Sequence, residues 1–274
     1  FGERLATIAE VFGAQLTRLE FAWGRAADPQ TIKEQLVGDG PFKLLLIVHN
    51  ETSTGVTNNL AAIARVVRSL GETRPLLVVD AISSLGAIDL PMDALGCDVV
   101  ITGSQKAWMA PPGLTMIGLS ERAWAAVEEA QTPRFYWDLR LVRRYAERGQ
   151  TPFPPALSAM YGLSRALELM AAEGLPHIFA RHKRIGRHTR ERVRALGLEL
   201  FVEDETYASD TVTAVRLPEG VEGDTLLKRL REERGILVGG GQGPFRDRMV
   251  RIGHMGYVRE ADIDGILEGL SSLL

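Results

Sequence analysis

The chain has one cysteine, Cys97, in 274 residues. That excludes an internal disulfide and a cysteine-rich metal site, and it fits a reducing, cytoplasmic setting. No stretch reaches the roughly 20 apolar residues of a membrane span. Large net charge is also missing. A formal value of -3 argues against nucleic acid or an anionic membrane as the main partner. His177, His182, His188 and His254 show no ligand spacing, so no metal site is expected. There are no repeats and no low-complexity tract. An initiating methionine is absent as well, and the opening FGERLATIAEVFGA has the pattern of a charged amphipathic helix, not of a signal peptide. The one basic run, RHKRIGR from Arg181 to Arg187, is expected to be the solvated face of a helix.

What is present is an alternation. The apolar runs LTRLEF (16–21), KLLLIV (43–48), PLLVVD (75–80), DVVIT (98–102) and GLTMIGL (113–119) are separated by helical patterns beginning near Asp28-Pro29 and covering about 58–70 and 120–130. Short, continuously apolar strands between helices imply an α/β fold with a mainly parallel sheet covered on both faces. Such sheets place their sites at the carboxyl ends of the strands. Pro133, Pro152, Pro154 and Pro155 mark 132–156 as a linker or a loop over the site. Two long helices follow, about 157–173 and 176–196. A strand at 211–217, a helix at 223–234, the short run ILV, a strand at 249–253 and a helix at 260–273 complete an α+β unit. The expected division is a large domain over 1–155 and a smaller C-terminal domain over 156–274.

The strand ends carry the chemistry. In DVVITGSQKAWMAPPG, Lys106 follows an apolar strand. Desolvation favours the neutral amine, which is the nucleophilic form needed for a Schiff base with a carbonyl. Asp80 ends PLLVVD, and a carboxylate there needs a cationic or hydrogen-bonded partner. A pyridinium N–H is one such partner. A lysine Schiff base combined with an acid on the ring nitrogen is how pyridoxal phosphate (PLP) is held. HNETSTGVTNNL (49–60) adds Glu51, Thr52, Ser53 and Thr54, more polar side chains than a helix cap requires. GGGQGPF (239–245) has no phosphate-loop lysine pattern and is expected to be a flexible loop. Cys97 is expected to be a small buried residue.

HNETSTGV, LLVVDAISSLGAIDLPMD, GSQKAWMAPPG and RIGHMG together resemble the class V aminotransferases of PLP fold type I, in particular the alanine–glyoxylate and serine–glyoxylate group. The resemblance covers nearly the whole chain. It implies Lys106 as the Schiff-base lysine and Asp80 on the pyridine nitrogen. It places Thr52, Gln105 and Ser104 in the cofactor pocket, with Phe1 stacked on the ring. Thr151 would be lent to the phosphate of a neighbouring subunit in a homodimer, and Arg251 would bind the substrate α-carboxylate through its planar fork. The implied reaction moves an amino group from alanine, serine or another small amino acid to a 2-oxo acid such as glyoxylate or pyruvate. The family carries a further segment before the position of Phe1, with a Gly/Ser-rich phosphate-binding turn at a helix N-terminus, and no such turn stands here. Two alternatives stay open: another PLP enzyme of the same fold, such as a lyase or desulfurase, and a catalytically silent fragment.

Overall fold

Helix α1 (Gly2–Val11) opens the chain, which a computed structural model describes over residues 1–274. Helix α2 (Pro29–Gly38) begins at Asp28, whose carboxylate accepts from the Gln30 and Thr31 N–H groups, with Pro29 at the position where a missing N–H costs nothing. Next come β1 (Leu44–Val48), the two-residue strands β2 (Asn50–Glu51) and β3 (Val56–Thr57), and α3 (Leu60–Ser69). Asn59 caps α3, and Leu60, Ile63, Ala64 and Val67 form its buried stripe at helical spacing. Strand β4 (Leu76–Asp80), the short helix α4 (Met92–Leu95), β5 (Val99–Gly103) and β6 (Thr115–Leu119) follow. The strands order as β1-β4-β5-β6, and β1, β4 and β5 are parallel.

Strand β6 departs from the expected parallel direction and runs antiparallel to β5. The reason is the short connection. A parallel return needs a crossover of a dozen or more residues, usually a helix. Here the lysine-bearing loop itself reverses the chain, closed by Ala110 N–H to Ser104 O at 3.0 Å and Ser104 N–H to Leu114 O at 3.1 Å. The stretch 16–21 forms no strand; Leu19 and Phe21 pack against the first core without joining a ladder. That core combines Ile32 and Leu36 of α2, Ile63 and Val67 of α3, and Ile47, Leu77, Val79 and Val100 of the sheet. At the amino end of β5, buried Asp98 accepts from Arg74, Arg122, Ser120 and the Leu77 N–H, fastening the sheet at the edge opposite the site.

Helix α5 (Glu121–Glu129) leads into the proline-marked stretch, which contains an unforeseen helix, α6 (Leu139–Ala146), started by Asp138 accepting from the Arg140 N–H. Helices α7 (Leu157–Glu173) and α8 (Leu175–Ala195) precede β7 (Val212–Arg216), α9 (Gly223–Arg234), β8 (Gly239–Gly240), β9 (Met249–Gly253) and α10 (Glu260–Ser271). Strands β7, β9 and β8 make an antiparallel sheet over a second, separate core of Ile185, Val193, Val215, Leu226, Leu230, Ile252, Ile263 and Leu267. The run ILV is not a strand; pairing starts one residue later, at Gly239.

Candidate active site

Parallel register brings the polar strand ends together. Asp80 is paired with Val48 on one side and Ile101 on the other, so the residues after β1, β4 and β5 share one edge. The ladder continues past the strands, with His49 N–H to Asp80 O at 2.9 Å and Ala81 N–H to Ile101 O at 2.8 Å. Asp80 is half-buried, and its carboxylate accepts one hydrogen bond, from the Ile82 N–H at 2.9 Å. Burial, reinforced by the nearby Glu51 charge, pushes the Asp80 carboxyl above the usual range against the pull of that N–H.

Lys106 is half-buried on the loop after β5, and no carboxylate stands within ion-pairing distance of it. The loop is tightly folded: Met109 adopts a positive φ of 58° and donates its N–H to Lys106 O at 3.0 Å. Trp108 lies beneath, its indole N–H donating to Thr102 at 3.1 Å. Ser104 is fully buried, with its hydroxyl donating to Pro111 O at 2.7 Å and accepting from the Leu114 N–H. That hydroxyl closes the loop. Exposed Gln105 folds back over Gly103.

The second core supplies Arg251. Its Nε donates to Gly240 O at 2.6 Å and its Nη1 to Thr52 O at 3.0 Å, so Arg251 and buried Thr52 meet across 199 residues of sequence. Arg251 pairs with no carboxylate, and burial lowers its pKa against the favourable Glu51 field. The glycine-rich stretch is therefore ordered, not a flexible loop: β8 pairs Gly239 with Arg251 and lends the carbonyl that aims the guanidinium. Glu51, singled out above only as one of four polar residues, exerts its charge on both Asp80 and Arg251. It accepts from the Ser53 N–H and hydroxyl at 2.9 and 2.6 Å, and the Phe1 backbone nitrogen lies 2.6 Å from its other carboxylate oxygen. Phe1 thus sits at the same edge. Thr151 does not: it is exposed, and its hydroxyl donates to Phe153 O at 2.8 Å within its own loop.

The two halves interlock beside these groups. Asn50 donates to Ser83 at 2.8 Å and to Thr211 at 3.0 Å. Gly55, at φ 73°, brings its carbonyl to the Ser209 N–H and would meet the Ala214 nitrogen at 3.1 Å if it carried a Cβ. A cavity beside Phe201 and Arg216 contains none of the site residues. Cys97 is buried, and burial pushes its thiol up to about 11, so it offers no thiolate.

Residues 4–265 match the family model of the class-V aminotransferases. The chain belongs to that family. Similar proteins include the soluble hydrogenase small subunit of a Synechococcus species, 40% identical over 276 residues, a match spanning all of this chain and 71% of that protein. The L-aspartate–glyoxylate aminotransferase of Paracoccus denitrificans is 36% identical, covering 95% of this chain and 66% of its own length. Among solved structures, the alanine–glyoxylate aminotransferase of Nostoc superposes with a TM-score of 0.93 at 31% identity, covering 99% of this chain and 72% of that one. The fold of this class-V aminotransferase chain is accordingly PLP-dependent fold type I.

Proposed function

We propose that the chain carries the catalytic groups of a PLP-dependent aminotransferase that moves an amino group from a small amino acid to a 2-oxo acid such as glyoxylate or pyruvate. What supports this reading is a shared sheet edge: Asp80 ends β4, Lys106 lies on the loop after the neighbouring β5, and Arg251 of the second core donates to the Thr52 carbonyl beyond β1. The residues fit the cofactor. Asp80 is half-buried with a single backbone donor, which leaves an acceptor for a ring N–H, and Lys106 has no competing ion pair. Lys106 would hold PLP covalently, Asp80 would grip its ring nitrogen, and Thr52, Gln105 and Phe1 would complete the pocket. When bound, PLP supplies an electron sink for negative charge at the substrate Cα.

The chain's own residues do the rest. Arg251 has two N–H directions committed to the Gly240 and Thr52 carbonyls, which fixes the plane in which its remaining donors meet a substrate carboxylate. That orientation sets the Cα–H bond relative to the reacting plane. Nζ of Lys106 would take the Cα proton as base, and the ammonium so formed would serve as the acid that gives it back. The inert, buried Cys97 disfavours a desulfurase.

The same reading makes the chain a subunit of a cytoplasmic homodimer, with 1–155 and 156–274 as its domains and Thr151 lent to the neighbour. In support, Thr151 adjoins exposed aromatics: Phe135, Tyr136 and Trp137 are 73%, 56% and 74% accessible, and Tyr136 stacks on Phe153 at 4.7 Å. The structure also has no helix long and apolar enough to cross a membrane. The test is a half-reaction screen of alanine, serine and aspartate with PLP, followed by glyoxylate or pyruvate. Formation of the 2-oxo acid from the donor supports the proposal. Aldehyde or sulfide as the product, or no product from any donor, would overturn it.

A further inference from the structure

We infer that Arg181 and His182 of α8 are positioning residues that hold the Lys106 loop in place through the Gly256 peptide. The inference rests on the reading of Lys106 as the reactive amine. Gly256 is gripped on both sides: its N–H donates to His182 Nε2 at 3.0 Å, and its carbonyl accepts from Arg181 Nη1 at 2.7 Å. Arg181 is itself steadied by Glu173 at 2.6 and 3.0 Å. Gly256 adopts φ 84°, and a Cβ there would lie 3.1 Å from Met109 Cγ and 3.7 Å from Lys106 O. The glycine therefore backs directly onto the turn that bears the lysine. These two inward side chains also correct the expectation that RHKRIGR is wholly solvated: His182 is 1% exposed, although Arg184 and Arg187 do face outward.

The hydrogen bonds assign the His182 tautomer. Nδ1 faces the Ile178 carbonyl at 2.8 Å and carries the proton, which leaves Nε2 as a bare acceptor for Gly256. Protonating Nε2 would set one N–H against another and release the latch. The charged and titratable groups facing the ring are Arg181 on its own helix, Glu173 at the end of α7 and His254 after β9. Before β7, Asp210 is engaged with Arg190, and from α10, Glu260 and Asp264 are engaged with Arg184, His188 and Arg192. Burial, which disfavours the imidazolium, keeps the latch closed at neutral pH.

The test is hydrogen–deuterium exchange of residues 104–114 in the full chain without cofactor, corrected for intrinsic exchange at each pH. His182→Ala should speed exchange there about fivefold at neutral pH, the opening expected from losing one hydrogen bond, while His182→Gln, which keeps an acceptor, should stay near wild type. Acidification should speed exchange in wild type but not in His182→Gln. Unchanged exchange in a folded His182→Ala, or equal acid sensitivity in wild type and His182→Gln, would overturn the latch. Because the readout needs no PLP, a failure of PLP to attach to Lys106 would remove the catalytic reading and leave this result standing.

Discussion

At the scale of single residues, function here is a set of groups held short of full satisfaction. Asp80 shows it best: a half-buried carboxylate near another carboxylate, with one N–H to lean on. A carboxyl whose pKa is raised on folding binds its proton more tightly in the folded state, so stability is lost as pH rises through that raised value. At neutral pH the free protein bears that cost. Asp80→Asn should therefore raise the melting temperature of the cofactor-free chain while cutting transamination at least about 100-fold, since the grip on the ring nitrogen goes with the charge. Calorimetry and a coupled assay check the two halves, and a destabilised Asn variant would contradict this view of the site. Lys106 and Asp80 drew attention in the sequence because each follows or ends an apolar run, where a polar side chain is costly without a task, whereas the roles of Thr52 and Arg251 came from the family resemblance. Ser104 shows a limit of sequence reading: its hydroxyl closes the turn, a task its position next to the lysine did not announce.

At the scale of elements, the core strands and all the long helices could be read from period and punctuation, because Asp28, Asn59 and Ser120 mark helix starts chemically. What could not be read was partnership. The direction of β6 depends on how the lysine loop folds, and the absence of a strand at 16–21 depends on whether a neighbour offers a ladder edge. Helix α6 was hidden by prolines on both sides, even though Asp138 supplies its cap. The role of the glycines at 239–240 emerges only once β9 lies beside them. The turn at Gly55 makes the corresponding prediction. Gly55→Ala must place an L side chain at φ 73° and 3.1 Å from the Ala214 nitrogen, and should cost about 1–2 kcal/mol in denaturant unfolding. Because the turn carries Thr52, the KM for the amino acid should rise as well. A variant as stable as wild type would show that the turn does not dock the second core.

At the scale of the whole molecule, both halves hold buried, neutral histidines. His49 bonds Ser84 and is held down to about 4 by burial; His254 bonds Thr213 and Asp210 and is held down to about 3, again mainly by burial. The His182 pKa is lowered for the same reason. Unfolding frees all three to protonate near 6.5, so the stability they contribute is whole above that value and is lost as pH falls toward about 4 and then about 3. Acid should therefore destabilise the chain by several kcal/mol between neutral pH and roughly pH 4, and His49→Gln should flatten part of that slope; a parallel slope in the variant would contradict the assignment. The central claim remains the amine at the sheet edge. The chain has five lysines, Lys33, Lys43, Lys106, Lys183 and Lys228. Incubation with PLP, borohydride reduction and peptide mass spectrometry should place one stoichiometric adduct on Lys106, protected from later competition by free amine. Labelling spread over the other four with Lys106 bare would contradict it.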